Sequence, residues 1–149
     1  MLVSTLIVFA LQMVVTVALG VVLYDAAGAE SWAALVPVLL LGAAAFAGMG
    51  IGLAALIRSD EGASAVVNLV VLPMAFLSGS FGPTSDYPDV LQAVADVLPL
   101  TYLIRLLQSA YLDGTSLVHD VGAVAVVVAW GVAGLVVALR RFDWQPREK

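Results

Sequence analysis

The sequence predicts an all-α integral membrane protein: four transmembrane helices plus an outer-side re-entrant or interfacial helix pair before the last span. Composition is the first observation. Of 149 residues, 62% are hydrophobic and 11% are charged, against about half and about a quarter in an average soluble domain. So few charges cannot coat a soluble core. Length is the second. The charge-free runs 1–24, 31–57, 62–85 and 121–139 are each near the ~20 residues that a helix needs to cross a ~30 Å hydrocarbon core. The third is periodicity: no run shows the alternating ~10-residue segments of a membrane barrel. Residues 1–149 therefore read as one transmembrane domain with spans at about 3–24, 32–57, 63–82 and 119–139. The helix pair falls at about 88–112 and a cytoplasmic tail at 140–149.

The first span places Thr5, Gln12 and Thr16 on one face, at i, i+7 and i+11. Two readings fit: interhelical hydrogen bonds, at about 0.6 kcal/mol per pair, or a polar stripe on a translocation path. Ala27 and Ala29 resemble a signal-peptide cleavage site, but the segment lacks a basic start and is longer than such peptides. The alternative expectation is that the chain begins inside a longer membrane protein.

The second span carries Ala44, Gly48 and Gly52 at i, i+4 and i+8. Small residues at that spacing let helix backbones approach, and packing within this chain is favoured over a dimer seam. Pro37 is expected in the first turn, where its missing N–H costs little. In the third span, Asn68 should face the bundle, because an amide gains no partner from lipid tails. Pro73 frees a backbone carbonyl and is expected to kink that helix.

The connector before the last span is amphipathic. Val90, Leu91, Val94, Val97 and Leu98 recur at helical spacing, with Asp89, Gln92 and Asp96 opposite. Pro88 opens this helix and Pro99 ends it. A second helix follows from residue 100 to 112, closed by Asp113-Gly114, with Thr101, Arg105 and Gln108 as its polar face. Neither segment is long enough to span alone, so together they lie on, or dip into, the outer leaflet.

Basic residues set the orientation. Arg58 lies in the second connector, and Arg140, Arg141, Arg147 and Lys149 follow the last span. Arg105 alone falls on the other side, beside Asp25, Glu30, Asp86, Asp89, Asp96, Asp113 and Asp120. Both termini are expected in the cytoplasm, in a multi-pass protein of the plasma membrane. Arg58, Glu61, Arg140 and Arg141 form the candidate cytoplasmic contact surface.

Several chemistries are unsupported by the residues. Six basic residues and a net charge of −5 argue against nucleic acid, whose phosphates need basic patches. There is no cysteine, hence no disulfide, thiolate metal site or cysteine nucleophile. The chain lacks a phosphate-binding G-x-x-x-x-G-K-[ST] motif. Gly79-Ser80-Phe81-Gly82 lacks nucleophile-elbow spacing, and the one histidine, His119, stands at the start of the last span. No catalytic residue, bound cofactor or metal ligand is expected.

Five stretches together resemble a known family: LIRSDEGASA (56–65), NLVVLPMAFLSG (68–79), YP (87–88), LPLTYL (98–103) and RRFDW (140–144). Their order and spacing resemble the C-terminal half of ABC-2 type permeases, the membrane subunits of bacterial drug, polysaccharide and teichoic-acid exporters. The first two spans fit without adding a motif. The sequence departs from the family in having Arg105 and Gln108 where an acidic residue and an arginine are commoner, and Asp143 in place of a basic residue.

The resemblance implies a re-entrant helix pair before the last span and a transport subunit, not an enzyme. It also implies ATP on a partner ATPase subunit, a permease homodimer or heterodimer, and a bilayer around it. Family members have six spans and a docking loop between the second and third. The four spans here correspond to the last four, so an N-terminally truncated or partial subunit is expected. Such a chain alone should not drive export, since two short cytoplasmic pieces fall below the ~20–30 residues per side of a stable interface. The alternatives are a small non-transporting membrane scaffold or a remnant of a broken permease gene. In-frame upstream codons for two more spans and a neighbouring ATPase gene would favour the transport subunit.

Overall fold

A computed structural model describes residues 7, 8, 11, 12, 14–16, 18–20, 22, 29–57, 60–79, 84 and 87–141. The described residues between 7 and 22 are all helical; the rest of the expected first span lies outside the described residues. Five helices follow, with no strand among the described residues: α1 Trp32–Leu56, α2 Asp60–Leu77, α3 Asp89–Ala95, α4 Pro99–Leu112 and α5 Val121–Arg141. A 3-10 turn, Leu117–Asp120, leads into α5.

Helix α1 starts where Ser31 accepts the Ala34 N–H on its hydroxyl oxygen at 3.3 Å, satisfying one of the otherwise orphaned donors of the first turn. Pro37 is the sixth residue of this helix, beyond the first turn where the sequence placed it. Its absent N–H leaves the Ala33 carbonyl without an i+4 donor, and the helix continues through it.

The molecule is organised around α1 and α5, which share its most extensive contact. A Cβ built on Gly48 would lie 2.6 Å from the Gly131 carbonyl oxygen, and one on Gly52 would lie 2.5 Å from that of Gly134. Built on Gly131, it would meet Ala45 Cα at 2.7 Å. Rising numbers on α1 pair with rising numbers on α5, so the two helices are parallel. The spacing expectation was right in kind and shifted in face: the seam uses Ala45, Gly48 and Gly52, whereas Ala44 is exposed. It joins helices of one chain.

Toward the start of both helices the seam widens to admit α4. Ala34, Leu35, Val38 and Ala45 of α1, Leu103, Leu106 and Ala110 of α4, and Ala123 and Val127 of α5 form the core. Alanine is the commonest of these residues, and lipid tails are as apolar as a leucine side chain. Close backbone approach, not escape from water, is what such a core gains.

Helix α2 departs from expectation. Its apolar stretch, Gly62–Leu77, rises about 24 Å, short of the ~30 Å core. The span expected to reach residue 82 stops at Leu77, where the Ser78 N–H bonds the Met74 carbonyl at 3.0 Å and Gly79 adopts φ 85°. A left-handed glycine after the last turn ends a helix at little steric cost. Two helices, Trp32–Leu56 and Leu117–Arg141, are long and apolar enough to cross a membrane; four such helices are not seen among the described residues. Pro73 lies within α2, which runs on to Leu77.

Helices α3 and α4 form the expected pair, bent by 78° at the break between them. Pro99 is the first residue of α4, rather than the terminator of α3, and suits that position because the first amide of a helix needs no partner. At the far end Gly114 takes φ 62°, and the Asp113 and Thr115 amides both reach the Ser109 carbonyl, at 3.1 and 3.2 Å. Contrary to the amphipathic pattern, Ala95 is the residue that α3 buries. Its valine stripe faces outward, with Val90 75% and Val97 60% exposed.

Candidate functional site

Polar side chains gather where α4 meets the start of α5. Arg105 donates to and ion-pairs with Asp120 Oδ2. The other carboxylate oxygen of Asp120 accepts the Ala123 N–H at 3.0 Å, so one acid caps α5 and ties it to α4. The pair borders a cleft of about 380 Å³, whose lining includes Val38, Ser109, Thr115 and His119. Glu30 donates its N–H to the Tyr111 carbonyl at 3.0 Å, which joins the start of α1 to the same end of the molecule. No cluster of three or more metal-ligating side chains occurs among the described residues.

A second group of bonds holds the bend. Thr101 Oγ1 donates to the Ala95 carbonyl at 2.7 Å, and the Tyr102 hydroxyl to the Asp96 carbonyl at 2.8 Å. The indole Nε1 of Trp130 donates to the Val97 carbonyl at 3.0 Å. Carbonyls where α3 ends thus gain donors from side chains of α4 and α5, the Ala95 carbonyl in addition to the Leu98 N–H at 3.1 Å. The Tyr87 hydroxyl donates to Phe76 O at 2.9 Å and serves the end of α2 in the same way.

The Trp130 bond also sets the bend beside the middle of α5. Residues 121–139 carry no charge and rise about 28 Å, close to the hydrocarbon thickness. Trp130 is nine residues past Val121, about 13 Å along the helix. Its side chain leans back toward the helix start by about a turn, so with α5 across the bilayer the Val97 carbonyl lies ~8–13 Å below the boundary. Asp96, adjacent to Val97, comes with it, although an acid at membrane depth carries a cost of about 2.5–3.5 kcal/mol on insertion scales.

The remaining sequence-selected residues are dispersed. Thr5 and Arg58 lie outside the described residues, as do Arg147 and Lys149. Gln12 and Thr16 are helical and exposed, and Asn68 is exposed on α2. Asn68 therefore does not face this chain's own described bundle. Gln108 is exposed, so of the expected polar face of α4 only Thr101 and Arg105 join the network. Glu61 falls in the first turn of α2. Arg140 and Arg141 occupy the last turn of α5, where cations complement the helix dipole.

Sequence reasoning placed Asp120 among the outer acids without giving it a partner, and passed over Trp130, Gly131 and Gly134. Asp120 did carry a signal, since an acid immediately before a long apolar run is a common helix cap. The glycine pair, at i and i+3, echoed the small-residue pattern of α1.

The family profile described as ABC-2 type transporter matches residues 1–112. It takes in the first two expected spans, which offered no motif of their own, and stops before α5 and the RRFDW stretch. Among curated proteins the chain is similar to nodulation protein J of several rhizobia. It is 35% identical to the Sinorhizobium fredii protein over 89 residues, covering 58% of this chain and 34% of the relative. Identity is 36% over 95 residues with the Rhizobium meliloti protein, covering 62% and 36%. It is 33% over 108 residues with that of Rhizobium leguminosarum bv. trifolii, covering 69% and 41%. The chain thus matches about a third to two fifths of the length of these relatives. No solved structure matches it. A profile covering most of the chain, through the bent pair and up to the loop before α5, makes this protein a member of the ABC-2 type transporter family.

Proposed function

We propose that the chain forms part of the membrane permease of an ATP-binding-cassette exporter, with nucleotide hydrolysed on a separate ATPase subunit. The observation that carries this reading is the family match over residues 1–112. The chain's composition agrees with it, since apolar helices long enough to cross a membrane flank a bent helix pair. Coupling requires that nucleotide state on the partner favour one permease conformation over another. We assign its transmission to the charged residues Arg58, Glu61, Arg140 and Arg141. The basic excess after α5 supports a cytoplasmic position for that end in a plasma-membrane protein, with the Arg105–Asp120 end outside. A second permease chain, identical or not, completes the conduit.

The test is affinity purification of the tagged chain from membranes that also contain the ATPase encoded beside it, followed by ATP-dependent efflux in vesicles. Co-purification with nucleotide-dependent transport supports the reading. A chain that inserts stably, binds no ATPase and moves nothing would overturn it. For orientation, cysteines at Arg105 and Arg147 should label differently with an impermeant thiol reagent in whole cells, position 105 reacting and position 147 protected.

A further inference from the structure

We propose that the cleft between α1 and α2 is a binding site for one acyl chain of a membrane phospholipid. This goes beyond the permease reading and holds whether or not the chain couples to an ATPase. Helices α1 and α2 follow one another, separated only by residues 57–59, yet they scarcely touch. Helix α2 meets α3 and α4 instead, and Tyr87 secures its far end at the Phe76 carbonyl. The space left between the two consecutive helices is a cleft of about 240 Å³. Phe46, Gly50 and Ile57 stand on the α1 wall, and Val67, Val71 and Met74 on the α2 wall. These positions recur at helical spacing, so each helix gives the cleft one stripe of its surface. On α1 that stripe lies beside the glycine face that meets α5, and is not part of it.

Chemistry, length and width select the occupant. Among the described residues no polar side chain lines the cleft, so water finds no partner in it. Apolar cavities of about 150 Å³ stay dry and take up hydrocarbon guests. From Phe46 to Ile57 the cleft extends about 17 Å along α1, close to the ~15 Å depth of one leaflet's hydrocarbon. With α1 across the bilayer, its long axis is that of the lipid tails. A volume of about 240 Å³ drawn out over that length is a slot narrower than the ~10 Å of a helix with its side chains. A lipid tail fits where a membrane helix of a second copy does not. The walls can also adjust to it. A Cβ on Gly50 would meet nothing within 4 Å, and Met49 and Met74 carry flexible thioethers that mould to an irregular guest. A tail seated there supplies van der Waals partners to both walls at once.

The test uses phospholipid vesicles in which a small fraction of the lipid carries a diazirine midway along one acyl chain. The full chain is reconstituted, then irradiated either in the vesicles or after extraction into detergent and purification. Labelled residues are read by mass spectrometry. Leu69, on the opposite side of α2 and 75% exposed, reports lipid that merely surrounds the protein. Gly50→Phe and Val71→Phe each place a ring in the cleft, from one wall and from the other. Leu69→Phe adds a ring outside it. The melting temperature of each variant in detergent checks that it folds.

The expected result is labelling at both Met49 and Leu69 in vesicles. After extraction, label should persist at Met49, Leu53 and Met74, with about tenfold less at Leu69. Gly50→Phe and Val71→Phe should each lower the retained label about tenfold, and Leu69→Phe should leave it unchanged. Either cleft variant suffices if the other does not accumulate. Loss of label from Met49 and Leu69 alike on extraction would overturn the proposal, because the cleft would then hold lipid no more tightly than the open surface does. Cleft residues unlabelled even in vesicles would overturn it as well, since a protein helix would then cover them. So would retained label that neither cleft variant reduces.

Discussion

The α1–α5 seam and the bent pair α3–α4 solve the problem of membrane structure in opposite ways. At the seam every backbone group is satisfied within its own helix, and closeness comes from omitting side chains. Gly48, Gly52, Gly131 and Gly134 let carbonyl oxygens stand where no Cβ would fit. In the pair the backbone is broken over residues 96–98, and side chains are recruited to repair it: Thr101, Tyr102 and Trp130 each reach a carbonyl at or beside the break. Smooth helices pack by dispersion, which is lost steeply with separation. An irregular turn is held by a few directional bonds, each replaceable at modest cost. The seam is therefore the part that tolerates least, and the pair is the part that can be altered one bond at a time.

The sharpest way to break this comparison is a substitution on a single helix. Gly48→Leu should lower thermal stability in detergent by about 1–3 kcal/mol or prevent assembly, because the added side chain meets backbone rather than a movable side chain. Gly50→Leu, two residues away with nothing within 4 Å of its Cβ position, should be neutral or gain up to about 1 kcal/mol from helix propensity. Equal losses would show that the seam is not the tight element.

A smaller effect is expected where the two regions join. Asp120→Ala removes the cap on Ala123 and the partner of Arg105 together, and should cost about 0.5–2 kcal/mol. Its signature is faster hydrogen exchange confined to the first turn of α5. Exchange rising across the whole of α5 would place the anchor of that helix in Asp120 instead of the seam.

At the bend of the pair, Trp130→Phe keeps an aromatic ring on α5 and removes the donor to the Val97 carbonyl. A loss of about 0.5–1.5 kcal/mol is expected, with increased exchange near residues 97–101 and none along α1. Arg105→Ala should have the least effect, within about 1 kcal/mol, because the guanidinium side is 61% exposed and solvent screens the pair. Its effect should shrink further in high salt, whereas that of Asp120→Ala should persist through the Ala123 bond.

The difference between the two regions also decides what could be read from the residues. The seam was legible because its chemistry is a pattern in one dimension: small residues at helical spacing on α1 announced a close approach. The partner strip on α5 was equally visible, yet nothing in spacing assigns one strip to another. The helix pair was legible in its proline and glycine punctuation, which placed α4 within a residue of where it lies and the start of α3 likewise, though α3 ends three residues early, at Ala95. Its amphipathic stripe misled, because in a bilayer an exposed valine face is at rest against lipid, and Ala95 turns inward instead.

By itself, the sequence determined that this is a helical membrane protein, where α1, α4 and α5 begin and end, and that its helices meet through small residues. Those properties follow from the cost of charge in hydrocarbon and from local backbone sterics, which act over a few residues. Only the tertiary structure decided that α1 and α5 run parallel in contact, that α2 stops short of a full span, and that the bend lies beside Trp130. It also turned Arg105 from a member of a polar face into the partner of Asp120, fifteen residues on. Such outcomes depend on which surfaces fit at van der Waals distance and which orphaned carbonyl finds a donor, and neither condition is carried by spacing along the chain.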